Sequence, residues 1–130
     1  KKWLLEIIKS IWIKFEKKFL KLWETENLGD AYPKVLFKKN SKKMILEKKL
    51  YMQNLFEETI SYAGAKIIRR IYGFAHNIDF EWIENTKVRA NCEYKASSLA
   101  IEMLKNTNSF KSINDLIKVA KRNENMNVKL

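Results

Sequence analysis

The chain has 130 residues, of which 46% are hydrophobic, and it carries 26 lysines and arginines against 15 acidic residues, for a net charge of +11. This length suits one domain with an apolar core, the single cysteine excludes an internal disulfide, and no apolar run reaches the roughly 18–20 residues that span a bilayer. No signal-peptide pattern opens the chain, so we expect a cytoplasmic location.

Residues 3–23 are predicted to form an amphipathic helix with a wide apolar stripe, at positions 3, 4, 7, 8, 11, 12, 15, 19, 22 and 23. Packing against a core explains this stripe, although a basic helix that lies on a membrane surface or in a partner's groove has the same spacing. The segment LGDAYPKVLFKKN, residues 28–40, is predicted to be a loop because it contains Pro33 and follows the helix end near Gly29.

A second, long helix is predicted from about Met44 to Ala75, with Asn40 or Ser41 as its N-cap. Gly64 is a candidate for a bend or a break in this helix. We expect the first and fourth helices to sheathe it, because it is apolar on most of its circumference. Its apolar side chains include Leu46, Leu50, Leu55, Phe56 and Ile60.

Three shorter helices are predicted to follow. Asp79 is expected to cap a turn in DFEWIE, Thr86 to cap a fourth helix, and SIND, Ser112–Asp115, to open a fifth as a variant of the capping box. Cys92 lies on the apolar stripe of the fourth helix, which favours a small core residue over a nucleophile. The chain is thus predicted to be all-α, with four to five helices around a long central one, as a single domain over residues 1–122 with a frayed tail over residues 123–130.

The paired arginines are the most unusual feature, because only four of the 26 basic residues are arginines and two of these adjoin in GAKIIRRIYGFAH. On a helix, Lys66, Arg69, Arg70 and Gly73 share one stripe, and nearly every other direction is apolar. We therefore expect the stripe to face an internal cavity or cleft, with Gly73 leaving room for a bound group. The spacing leaves two interpretations open: the planar guanidinium groups bind an anion, or they pair with buried glutamates or with carbonyl groups at a helix C-terminus.

The segments GAKIIRRIYGFAHNIDFEWIEN and RANCEYKASSLA resemble the C-terminal region of 5-methylthioribose kinases. That family has a double arginine, a glycine and an AH pair in this order, then an acidic D-F-E segment and an R-A-x-C-E helix. Similarity extends to WLLEIIKSIWIKFEKKFLKLW, AYPKVLF and YMQNLFEETISYAG, and so covers about residues 1–110. The resemblance implies the helical C-lobe portion of a kinase-like fold, in an enzyme that phosphorylates methylthioribose with ATP and Mg²⁺ in methionine salvage.

The same resemblance implies that Arg69 and Arg70 lie at the sugar and phosphate site as substrate-binding residues. Lys66, one helical turn away, would support them. His76, the only histidine, is interpreted as a core residue or as a helper behind the arginines.

Several parts of such a kinase have no counterpart in the sequence, which has three scattered glycines and three aspartates. The segment IDFEWIE resembles a metal-binding motif of choline-kinase-like enzymes, but no catalytic loop precedes it, so Asp79 and Glu81 are interpreted as a helix cap and first-turn charges. We therefore expect no catalytic residue and no metal ligand in this chain, and an N-terminal kinase half, or self-association, to complete it.

The alternative function is that of a basic helical module that binds a partner protein, a membrane surface or nucleic acid. The 22 lysines are spread over every polar face, and the lysine, isoleucine and asparagine bias is typical of an AT-rich genome. The positive charge is therefore weak support for a nucleic-acid or membrane partner.

Overall fold

The computed structural model describes residues 2–25, 41–74 and 78–126, and these are helical with short connections and contain no strand. The predicted all-α class is confirmed. The elements are α1 (Lys2–Thr25), α2 (Lys42–Tyr72), α3 (Ile78–Glu81), α4 (Thr86–Lys105), a 3-10 turn (Thr107–Ser109) and α5 (Ile113–Glu124). The predicted loop at residues 28–40 lies outside the described residues.

The packing divides the chain into two compact units, Lys1–Leu55 and Phe56–Leu130. Helix α2 contributes its first part to one unit and its second part to the other. The single domain over residues 1–122 stays a sequence-based prediction. At its end, α5 continues through the buried Asn123 to Glu124, so the first residues of the predicted tail are helical.

In the first unit, α1 packs on the first part of α2 through aromatic side chains. The ring of Phe19 stacks on that of Tyr51 with 5.7 Å between centroids, and Trp23 meets Tyr51 edge-on at 4.9 Å. The ammonium group of Lys48 lies 3.0 Å from the carboxylate of Glu24. No residue of α1 is buried, so the predicted apolar stripe is present but only partly covered in this chain.

The N-terminus of α2 is capped by Ser41, whose hydroxyl accepts a hydrogen bond from the Met44 N–H at 3.2 Å. This confirms one of the two predicted caps, and Asn40 lies outside the described residues. The buried side chains of α2 are those of Met44, Met52, Phe56 and Ile60.

Leu46 and Leu50, two of the apolar side chains of α2, lie outside the core. Leu46 is 56% exposed and Leu50 49% exposed. The helix is apolar on several sides, so its sequence did not single out the buried one.

The core of the second unit lies between the second part of α2, α4 and α5. It contains Phe56, Ile60, Ala100, Met103, Phe110, Ile113 and Ile117. At Gly64 the two long helices come close, because a Cβ there would lie 3.1 Å from the carbonyl oxygen of Ala100 and 3.2 Å from Cβ of Met103. A break at Gly64 is excluded because α2 is continuous through this residue, whereas a bend there stays a prediction. The glycine allows the two helices to pack closely.

The second unit's helix caps differ in part from those predicted. Asn85, and not Thr86, caps α4, since its side-chain oxygen accepts the Val88 N–H at 3.1 Å. Ser112 is the N-cap of α5, as predicted, but its side chain accepts no hydrogen bond from a backbone N–H of the first turn, as it would in a capping box. Its hydroxyl donates to the Asp115 carboxylate at 2.9 Å, and the Lys111 N–H donates to the same oxygen at 3.2 Å. These bonds, led by that from the Ser112 hydroxyl, lower the pKa of Asp115.

Cys92 of α4 is half-buried, at the edge of the packed interior. No helix within the described ranges combines the length and the apolarity needed to cross a membrane.

Candidate functional site: the paired arginines

The last turn of α2 carries Arg69 and Arg70, and Lys66 lies one turn earlier. Cationic side chains near a helix C-terminus interact favourably with the unpaired carbonyl groups there. All three side chains are exposed, whereas Ile67 and Ile71 of the same turns are half-buried. The predicted stripe therefore exists, but within the described part of the chain it faces solvent and not an internal cavity. The sequence showed which residues share a face, but not whether another part of the chain covers that face.

Arg70 forms an ion pair with Asp79, the second residue of α3. Its Nη1 lies 2.5 Å from Oδ2 of Asp79, and the two side chains are 55% and 40% exposed. One of the two open interpretations, ion pairing, therefore holds for Arg70, with an exposed aspartate in place of a buried glutamate. This contact was not predicted, because its signal in the sequence is only an acidic residue shortly after the glycine that follows the helix.

The position of Asp79 is fixed by its own short helix. Asp79 and Glu81 lie in the first turn of α3, which begins at Ile78, so the predicted first-turn charges are present. The indole Nε1 of Trp82 donates to the backbone carbonyl oxygen of Asp79 at 2.9 Å. Helix α3 also packs on α4, which places the carboxylate at the end of α2. The predicted capping role of Asp79 is wrong, because Asp79 lies inside the helix.

Arg69 differs from its neighbour. Its side chain is exposed, and no hydrogen bond or ion pair joins its guanidinium group to any residue in the described ranges. The ammonium group of Lys66 lies 5.3 Å from the ring centroid of Tyr62, a cation–π distance. Among the described residues, the guanidinium group of Arg69 thus has no hydrogen-bond or ion-pair partner that would compete with a bound group.

Gly73 follows Tyr72, the last residue of α2, and lies three residues after Arg70. Its N–H donates to the carbonyl oxygen of Arg69 at 2.9 Å, and a Cβ at this position would overlap that same oxygen. The backbone conformation therefore requires glycine at this position. The sequence-based interpretation of Gly73, that it leaves room for a bound group, did not anticipate this reason. His76, predicted as a core residue or a helper, lies outside the described residues.

Aromatic side chains surround the end of α2. The rings of Tyr72, Phe74 and Trp82 are all at least 70% exposed. The hydroxyl of Tyr72 forms a hydrogen bond of 3.0 Å with the buried Ser97 of α4. This contact, also missed in the sequence, ties the arginine-bearing turn to the core of the second unit.

Within the described ranges, no three histidine, cysteine, aspartate or glutamate side chains lie close enough to hold a metal ion together.

No protein family model matches the chain. Several curated proteins do. Methylthioribose kinases 1 and 2 of Oryza sativa subsp. japonica are each 40% identical to it over 119 residues, which is 90% of this chain but 27% and 28% of theirs. The methylthioribose kinase of Escherichia coli O45:K1 is 33% identical over 119 residues, 92% of this chain and 28% of its own length.

The chain thus spans about a quarter of the length of these relatives. The matched proteins are named as kinases, which does not favour the alternative of a basic interaction module. The chain is a homologue of the methylthioribose kinases that resembles a C-terminal portion of the family's members, as its motifs predicted.

Proposed function

We propose that this chain provides the C-terminal portion of an ATP-dependent methylthioribose kinase of methionine salvage, and that Arg69 contributes to its substrate and phosphate site. The single observation that carries the proposal is the similarity to named methylthioribose kinases over 90% of the chain. The exposed Arg69, without a partner among the described residues, is the side chain that best suits an anionic ligand.

In the proposed reaction, the γ-phosphoryl group of ATP passes to a hydroxyl oxygen of methylthioribose. The bond from phosphorus to the ADP oxygen breaks, a new bond to the sugar oxygen forms, and the hydroxyl proton passes to a base. We assign the nucleotide lobe, the base and the Mg²⁺ ligands to the part of the enzyme that this chain does not match.

Arg69 would act on the charge of the transferred group. A guanidinium group offers two parallel N–H donors to phosphate oxygens, and a preorganised donor stabilises charge on those oxygens in the transition state. Lys66 would add positive charge one turn away.

The proposal can be tested with a chimera. In rice methylthioribose kinase 1, the aligned segment is replaced by the corresponding 119 residues of this chain, and ADP release is measured with ATP and methylthioribose. We expect turnover that depends on both substrates. A folded chimera without turnover would refute the proposed function.

The role of Arg69 is tested in the same chimera by Arg69→Lys, which keeps the charge but removes the paired donors. We expect kcat to fall at least roughly tenfold, equivalent to about 1.4 kcal/mol of transition-state stabilisation. The matched control is Arg89→Lys, because Arg89 is on α4 and contacts Glu93 only at 4.0 Å. If Arg69→Lys leaves the rate intact and lowers only the melting temperature, Arg69 is structural.

A further inference from the structure

The two adjacent arginines have different surroundings. Nη1 of Arg70 is held by Asp79 at 2.5 Å, whereas the guanidinium group of Arg69 has no partner in the described ranges. A guanidinium group has five N–H donors, so Arg70 keeps donors for a second ligand after it has bound Asp79.

We propose that Asp79 is a positioning residue, which holds the guanidinium group of Arg70 in a fixed orientation beside Arg69 so that both present donors to the same phosphoryl group. This inference rests on the proposed function and names a residue that acts on the substrate only through Arg70.

The contacts of α3 support this role. The carboxylate reaches across from a separate helix to the last turn of α2, and this limits the rotation of Arg70 about its long side chain. Trp82 holds the backbone of Asp79 through the indole N–H, and the Ile83 N–H donates to the Phe80 carbonyl oxygen at 3.0 Å to close the turn. These two hydrogen bonds fix the backbone around Asp79, so the position of its carboxylate does not depend on Arg70 alone.

Charge compensation is the second effect. Adjacent guanidinium groups repel each other, and a carboxylate in contact with one of them reduces that repulsion. Because Asp79 contacts Arg70 and not Arg69, the net positive charge at this end of α2 is centred on Arg69.

The kinetic test uses the chimera described above with Asp79→Asn, Asp79→Glu, Arg70→Lys and the double variant Asp79→Asn/Arg70→Lys. Asp79→Asn is expected to lower kcat roughly tenfold, since misplaced positioning groups cost about this much or more, and Asp79→Glu to retain most of the rate. In the Arg70→Lys background, Asp79→Asn should cost nothing further, because the residue acts through Arg70. The matched control, Glu84→Gln, removes the same charge from an exposed residue near α3 and should leave kcat unchanged.

Two kinetic results would overturn the inference. Losses that multiply in the double variant would show that Asp79 acts independently of Arg70. An increase in kcat on Asp79→Asn would show that the carboxylate competes with the substrate for Arg70.

A second measurement does not depend on activity. In the isotope-labelled 130-residue chain, NMR of the arginine side chains should show slow rotation of the Arg70 guanidinium group and fast rotation of that of Arg69, and Asp79→Asn should make Arg70 fast. If Arg70 rotates as fast as Arg69 in the unmodified chain, the inference is wrong. If the chimera is inactive while Arg70 is restrained as expected, the proposed function fails and the positioning contact stands.

Discussion

Replacing Gly64 with alanine tests the closest contact between α2 and α4. Two effects oppose each other. Alanine is favoured over glycine inside a helix by about 1 kcal/mol. The new methyl group, however, would lie 3.1 Å from the Ala100 carbonyl oxygen, 3.1 Å from Cγ of Leu104 and 3.2 Å from Cβ of Met103.

Packing should decide the sign. Of these neighbours, the carbonyl oxygen and the Cβ atom can retreat only if α4 itself moves, and overpacking of this kind costs about 1–3 kcal/mol. We therefore expect Gly64→Ala to destabilise the chain by about 1 kcal/mol net, which lowers the melting temperature of a domain of 60–100 residues by about 4–8 °C.

Thermal unfolding followed by circular dichroism measures this change. Ala65→Gly is the matched control, because Ala65 is exposed on the same helix and reports the glycine cost, about 1 kcal/mol, without a packing effect. A higher melting temperature for Gly64→Ala would refute the reasoning, since it would show that α4 yields at little cost.

Three further predictions concern the whole chain and its second unit. Alone with ATP, Mg²⁺ and methylthioribose, the chain should release no ADP above background, because the base and the metal ligands are assigned elsewhere; measurable turnover would contradict this. Tyr72→Phe should lower the free energy of unfolding by about 1 kcal/mol through loss of the bond to Ser97, while Tyr94→Phe, at an exposed ring, should have little effect. Asp115→Asn should destabilise the chain at neutral pH. Folding lowers the pKa of Asp115 from 3.8, so the stabilisation by its carboxylate is present above that value and is lost as the pH falls through the folded-state pKa. The difference in melting temperature between the unmodified chain and Asp115→Asn should therefore shrink in acid. A difference that stays constant with pH would rule out the ionised carboxylate as the cause.

The sequence predicted those features that depend on neighbouring residues. The apolar spacing of α1, the serine before α2 and the SIND motif all act within one or two helical turns, and the structure contains each of them. The N-cap of α4 was misplaced by one residue because Asn85 and Thr86 are both good caps, and only the backbone conformation separates them.

The features that sequence reasoning missed depend on contacts between helices. Gly64 was interpreted from its helix propensity, whereas its role is set by a carbonyl oxygen 36 residues later. The pairing of Arg70 with Asp79 likewise joins side chains from two separate helices, α2 and α3. The spacing correctly predicted that Lys66, Arg69 and Arg70 share one face of α2. It could not predict that this face is exposed to solvent, because exposure depends on the packing of other helices.

The glycine that ends α2 has a consequence for mutational tolerance. Surface positions usually accept many residues, and a scan of all substitutions would be expected to show tolerance near an exposed helix end. At Gly73, any side chain would overlap the carbonyl oxygen of Arg69, so every substitution must displace the turn that bears the arginines. In such a scan, position 73 should be as intolerant as the buried Ile60 or Phe110, although it contributes no side chain to any contact.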